Sequence, residues 1–165
     1  MISIIVAIAK NGVIGKGGDI PWKLSDDLKH FALITKEHTV VMGRKTYESI
    51  VKRLGHGLPE RKNIVVTSQS DFNAPGCTVI RSVDEAVKMF STSREEIFVI
   101  GGGEIYKQFL PVTKKLYVTE VSCEIDGDTF FPFYSNKEWD LVSSEHRKKD
   151  DRNSCNFTFL EFVRK

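Results

Sequence analysis

Short runs of β-branched and aliphatic residues, separated by stretches of helical periodicity, constrain this chain more than any other feature. Residues 2–9, 39–42, 63–67, 78–80, 97–100 and 116–121 read as strands. Several are apolar throughout, the pattern of strands covered on both faces. Helical patterns lie between them. Ser82 and Glu85 form a capping box that opens a helix to about Phe90. Ser25 is the expected N-cap of a helix to about Ile34. Further helices begin near Arg44 and near Glu104. Alternation of this kind implies right-handed crossovers and a mainly parallel α/β sheet. The tail breaks the pattern: residues 139–143 and 156–163 read as two strands joined by a polar run, an antiparallel edge. With no linker or shift in composition, residues 1–165 are expected to form a single domain.

A chain of 165 residues suits one core. Folding at this size buries roughly 70% of the unfolded surface, so no disulfide or metal is needed for stability. Lys plus Arg number 24 against 22 Asp plus Glu, a net charge of +2. That balance argues against a nucleic-acid partner. The one basic run, Arg147-Lys148-Lys149, is answered by Asp150-Asp151 and reads as a solvated turn. Cys77, Cys123 and Cys155 are an odd set with no CxxC and read as free thiols, which makes the expected compartment the reducing cytoplasm. The histidines form no metal motif, and no metal is expected. No apolar run approaches a membrane span. The apolar N-terminal stretch has no basic region before it and suits a buried strand better than a signal peptide.

Five places offer chemistry. Residues 11–22 carry Gly12, Gly15, Gly17 and Gly18, then Ile20-Pro21-Trp22. Glycine hinges with an apolar tip suit a lid over a pocket, or a long surface connection. At about 100° per residue, Leu24, Leu28, Phe31 and Ile34 share a helix face, and Asp27 falls among them. A carboxylate there is costly unless paired. It either complements the helix dipole or receives the cationic or amidine-like edge of a planar ligand. Gly43-Arg44-Lys45-Thr46 places two cations at a helix N-terminus, an anion site. Ile100-Gly101-Gly102-Gly103-Glu104 lets the backbone approach a ligand between strand and helix. It is not GxGxxG, since Tyr106 stands at the last glycine position. Two such loops at strand C-terminal ends suggest a dinucleotide. Arg61, in the loop before residues 63–67, is either a bidentate carboxylate clamp or a solvated charge.

Taken together the segments resemble bacterial dihydrofolate reductase, from Met1 to about Val163. They are Val13-Ile14-Gly15, Ile20-Pro21-Trp22, Asp27-Leu28, Val41-Met42-Gly43-Arg44-Lys45-Thr46, Glu48-Ser49-Ile50, Leu58-Pro59 with Arg61-Lys62-Asn63, Ile100-Gly101-Gly102-Gly103 with Tyr106, and Gly127-Asp128-Thr129 before Phe131-Pro132. The resemblance implies a central, mostly parallel eight-stranded sheet with an antiparallel C-terminal strand and about four flanking helices. It implies NADPH-dependent reduction of 7,8-dihydrofolate to tetrahydrofolate, serving one-carbon metabolism and thymidylate synthesis. Antifolates are the implied inhibitors, and a monomer is expected.

The same resemblance assigns roles. Asp27 would pair with pterin N3 and the 2-amino group, supported by Thr119. Ile5, Val6, Ala7, Leu28, Phe31, Ile50 and Ile100 would line the pterin pocket. Ser49 and Leu58 would edge the benzoyl part, and Arg61 would hold the glutamate α-carboxylate. Ala7, Ile14, Gly15, Gly43 and the run Gly101, Gly102, Gly103, Glu104, Ile105, Tyr106 would face the cofactor, with a cis peptide between Gly102 and Gly103. Arg44, Lys45, Thr46, Thr67, Ser68 and Gln69 would hold its phosphates and adenosine end. Ile20 and Trp22 would admit the water that protonates N5, and Asp128 would fasten a loop that supports the lid. Glu104 is acidic where many members carry a basic residue, Gly55-His56-Gly57 lengthens a loop, and Gly17-Gly18 loosens the lid. Two rivals remain: another reductase of the same broad fold, and a nucleotide-binding module without turnover.

Overall fold

The structure is a computed structural model that describes residues 1–165. In chain order its elements are β1 (Ile2–Ala9), β2 (Val13–Gly15), α1 (Ser25–Thr35), β3 (Thr39–Gly43), α2 (Arg44–Leu54), β4 (Lys62–Val66), β5 (Thr78–Ile80), α3 (Val83–Phe90), β6 (Ile97–Gly101), α4 (Gly103–Phe109), a 3-10 turn (Leu110–Val112), β7 (Lys115–Val121), β8 (Thr129–Phe130), β9 (Trp139–Arg147) and β10 (Phe157–Arg164). Eight strands form one sheet in the order β5-β4-β3-β6-β1-β7-β10-β9. The strands from β5 to β7 in that order pair in parallel, and β10 is antiparallel to both β7 and β9. β2 and β8 form a separate antiparallel ribbon.

Side-chain alternation divides the core along the central strands in two, and a smaller third cluster gathers around Leu24 and Phe157. On β1, Ile4 and Val6 join Val41, Ile64, Val99, Leu116 and Val118 under α3 and α4. Ile5 joins Val40, Met42, Val65, Phe98 and Tyr117 on the other face, with Tyr47 and Ile50 from α2. Each of these burials contributes roughly 1.5–3 kcal/mol. Because the central strands are parallel, their C-terminal ends place the segment after β1, the β3–α2 turn, the β6–α4 turn and the loop after β4 along one edge.

Four local expectations change. Ser25 is the first helical residue, not the cap; the N-cap is Leu24, which has no side-chain cap bond. Its place is taken from a distance: Asn153 Oδ1 accepts the Asp26 N–H at 3.1 Å. Residues 11–22 are not one open loop, since Val13–Gly15 pairs with β8. β9 runs on through its polar residues to Arg147, because Phe157 and Thr158 on β10 supply partners whatever the side chains are. Cys123 and Cys155 are joined as a disulfide, and only Cys77 is a free thiol. Strands β7 and β10 are neighbours, so cysteines just beyond their paired ends meet although 32 residues separate them.

Candidate active site

Asp27 lies in the first turn of α1, facing β7. Thr119 of β7 is buried, and its Oγ1 donates to Asp27 Oδ1 at 2.6 Å. No protein donor reaches Oδ2, which stays solvent-accessible. Burial pushes the Asp27 carboxyl above the ordinary carboxylate range, and the Thr119 hydroxyl pulls part of the way back. The result is a half-buried carboxylate with one oxygen fixed and one offered to a ligand. Nearby, burial and then the Asp27 charge push the Tyr106 phenol far above its usual range. Its hydroxyl stays a donor, bonding the Ile5 carbonyl at 2.9 Å.

The walls beside Asp27 are apolar. Phe31, Leu58 and Ile100 are half-buried and pack on the cluster of Ile5 and Ile50. Leu28, one residue from Asp27, leaves 55% of its surface exposed. Ser49 is half-buried on α2, and Ala7 is half-buried on β1. Val6 departs from the expectation: its side chain sits in the cluster on the opposite face of the sheet, as strand alternation requires. Only its main chain is left to face the cleft. Arg61 is not a free surface charge. Nε donates to Thr35 Oγ1 at 2.8 Å and Nη2 to the Ala32 carbonyl at 2.9 Å. Nη1 donates to the Pro59 carbonyl at 2.5 Å, and the guanidinium lies 6.0 Å from the Phe31 ring centroid. Those bonds aim the guanidinium and still leave an N–H on each terminal nitrogen for a bidentate anion.

The second wall is backbone. Helix α2 starts after Gly43 with no side-chain cap, so its first N–H groups are free, and Arg44 and Lys45 follow at once. A Cβ on Gly43 would lie 2.9 Å from Ile105 Cγ1. Glycine therefore lets this turn approach the β6–α4 turn. There the cis peptide joins Gly101 to Gly102, one residue earlier than expected, and Gly101 has φ +115°. A Cβ on Gly101 would lie 3.1 Å from the Tyr106 ring. Ile105 and Tyr106, also expected at the cofactor, are buried behind the glycines, on the face of α4 that meets the sheet. Ile14 packs half-buried against that same cluster, beside half-buried Gly15. Thr46 is half-buried, with Oγ1 3.5 Å from where a Gly102 Cβ would stand. Arg44 is held by Glu48 through Nη1 at 2.8 Å. Lys45 is exposed. Uncapped N–H groups, two cations and a glycine turn are the donor set a diphosphate needs.

Beyond this turn, Thr67 is buried and its Oγ1 accepts from the Gln69 N–H at 3.2 Å, while Ser68 and Gln69 are exposed. Arg81 was missed. Its guanidinium donates to the carbonyls of Gln69 and Ser70, which puts a third cation beside this loop. A cation directly after β5, just before the Ser82 cap, was the available signal. Glu104 is exposed and 3.4 Å from Gln108 Nε2.

Residues 16–22 complete that edge. Gly17 N–H donates to Asp128 Oδ2 at 2.8 Å, which with Thr129 holds that carboxyl below its usual range. Ile20 is 44% exposed at the tip, and Trp22 packs on the cluster of Leu24 and Phe157.

A family model for dihydrofolate reductase matches residues 1–164. A dihydrofolate reductase from Bacillus subtilis is 45% identical over 165 residues, covering all of this chain and 95% of the relative. One from Haemophilus influenzae is 45% identical over 163 residues, covering 99% of this chain and 98% of the relative. The solved dihydrofolate reductase from Enterococcus faecalis, complexed with NADP(H) and the ligand named RAB-propyl, superposes with a TM-score of 0.92 at 34% identity, over 99% of this chain and 96% of that one. Fold, full-length match and identity agree: this chain belongs to the dihydrofolate reductase family.

Proposed function

We propose that this chain reduces 7,8-dihydrofolate to 5,6,7,8-tetrahydrofolate with NADPH, as a cytoplasmic monomer whose site antifolates also enter. The observation that carries the reading is the Asp27–Thr119 pair: one fixed carboxylate, one free oxygen, apolar walls on either side. Family membership and a structural neighbour solved with NADP(H) support it.

Asp27 takes the pterin N3–H and 2-amino group with its two oxygens, and Thr119 keeps the carboxylate from rotating. Burial makes that charge effective on a planar cationic ring, so Asp27 favours the protonated pterin. Phe31, Ile50, Leu28 and Ile100 hold the ring and exclude water. Arg61 receives the α-carboxylate of the glutamate tail. Gly43, Arg44, Lys45, Thr46 and the glycine turn hold the cofactor phosphates, with Thr67, Ser68 and Gln69 at its adenosine end. When bound, NADPH supplies the hydride that reduces pterin C6. Asp27 lies at the far side of the ring from N5, so the N5 proton comes from water admitted beside Ile20 and Trp22. Positioning and a dry site carry much of the rate.

The test is absorbance-monitored NADPH oxidation, with and without dihydrofolate, and with NADH in parallel. Oxidation should require dihydrofolate and favour NADPH by about tenfold or more, because Arg44 and Lys45 outweigh Glu104. NADPH binding without consumption would leave only a nucleotide-binding module.

A further inference from the structure

Two loops hold the two ends of the lid, and one covalent bond joins those loops. At the front, Lys16 Nζ lies 2.6 Å from Asp126 Oδ2, and the Gly17 N–H bonds Asp128. At the back, the Ser154 N–H donates to the Lys23 carbonyl at 2.9 Å, and the Ser25 N–H to the Arg152 carbonyl at 3.2 Å. Ile20 and Trp22 lie between these anchors. Cys123 begins the front loop and Cys155 ends the back one, with Cα atoms 6.2 Å apart. Cys155 is buried beside Leu24 and Phe157; Cys123 is half-buried and the more accessible residue of the two.

We propose that Cys123 and Cys155 are a reversible thiol–disulfide couple that sets the mobility of the lid, and through it the turnover rate. The proposal rests on reading residues 11–22 as the lid of the reductase site. The reductant is a dithiol. One of its thiolates attacks Cys123 Sγ, the Cys123–Cys155 bond breaks, and Cys155 leaves as a thiolate that takes up a proton. The second thiol of the reductant then displaces Cys123, which is also protonated. Two electrons pass, and the reductant ends as its own disulfide. A small-molecule disulfide runs the exchange backwards. Reduction leaves the roots of both loops in place, because Val121 stays paired with Phe157 and the Ser122 N–H with the Asn156 carbonyl at 2.8 Å. It frees the flanks that carry Asp126, Asp128 and Ser154. Lid opening and product release commonly limit such enzymes. The oxidised form therefore turns over more slowly, while hydride transfer within the closed site is unchanged.

The experiment uses the full chain with Cys77→Ser, which removes the free thiol. It is oxidised with a cyclic disulfide or reduced with dithiothreitol, and each state is verified by thiol counting. Reduction should raise kcat about two- to fivefold and leave the single-turnover hydride step unaltered. It should also speed amide exchange across residues 16–24, a readout that needs no turnover. Cys123→Ser in the same background should behave as reduced under both conditions. The proposal fails if both thiols persist after oxidation, or if amide exchange is identical in verified oxidised and reduced protein. It fails equally if Cys123→Ser still responds to dithiothreitol. Absent turnover in both states with altered exchange would refute the reductase reading and leave the couple standing.

Discussion

Asp27 costs the fold stability. Its carboxyl is raised mainly by burial, so the ionised form is worse off in the native state than in the unfolded chain. Below the ordinary value of 3.8 the group is neutral in both states and the cost vanishes. As pH rises through the raised native value the full cost appears and then stays constant. Asp27→Asn keeps the shape and removes the charge. Thermal unfolding should therefore show the variant gaining stability over the parent at pH 7 and losing that advantage in acid. Turnover should move the opposite way, falling roughly 10²–10⁴-fold at neutral pH, the scale of general acid–base effects. Near-parental turnover in a well-folded variant would remove Asp27 from the mechanism. The residue was legible because a lone carboxylate on an apolar helix face is conspicuous. Thr119 was not, except through family resemblance, because threonine in a strand is ordinary until its partner across the cleft is known.

At the scale of elements, the strands that carry the site announce themselves through unbroken apolar runs, and their bounds in the fold differ from the sequence reading by a residue or so. The lid ribbon did not. β2 and β8 are too short to show a period, and their pairing depends on a contact between distant segments. The signal that survives is Gly127. A Cβ there would stand 2.3 Å from Val13 Cγ1 and 2.7 Å from the Gly15 carbonyl oxygen. One of those atoms is backbone and cannot swing aside. Gly127→Ala must therefore separate the loop before β8 from β2, and with it weaken the Asp128–Gly17 bond. The expected cost is about 1–3 kcal/mol in urea unfolding, as for other overpacked contacts. A higher kcat at unchanged fold should accompany it, since a loosened lid opens and releases product faster. A midpoint and rate equal to the parent's would show that the ribbon neither packs as tightly nor bears on the lid as described. Arg81 teaches the same lesson: its type and place were visible, its partners were set by how β5 meets the loop after β4.

Over the whole molecule, the sheet order explains both the site and its covalent tie. β1 has β6 on one side and β7 on the other, so the ligand cleft forms where successive crossovers diverge. On the β7 side, β10 runs antiparallel, and this alone brings the two cysteines together. Neither cysteine count nor spacing could have foretold that pairing. The bond closes a separation of 32 residues. In the chain-entropy description, a loop of that length removes unfolded-state freedom worth about 4 kcal/mol. Because β7 and β10 are already hydrogen-bonded along their length, their native pairing does not depend on the bond. The effect of reduction on global stability should therefore come mainly through the unfolded chain. Urea unfolding of verified oxidised and reduced protein should differ by about 2–4 kcal/mol. The reduced form should have the steeper denaturant dependence, since its unfolded chain expands further. Far-ultraviolet spectra of the two native forms should coincide. A native spectrum that collapses on reduction would instead mean that the tie between the loops holds the β7–β10 register itself, and that the strand pairing is the weaker partner.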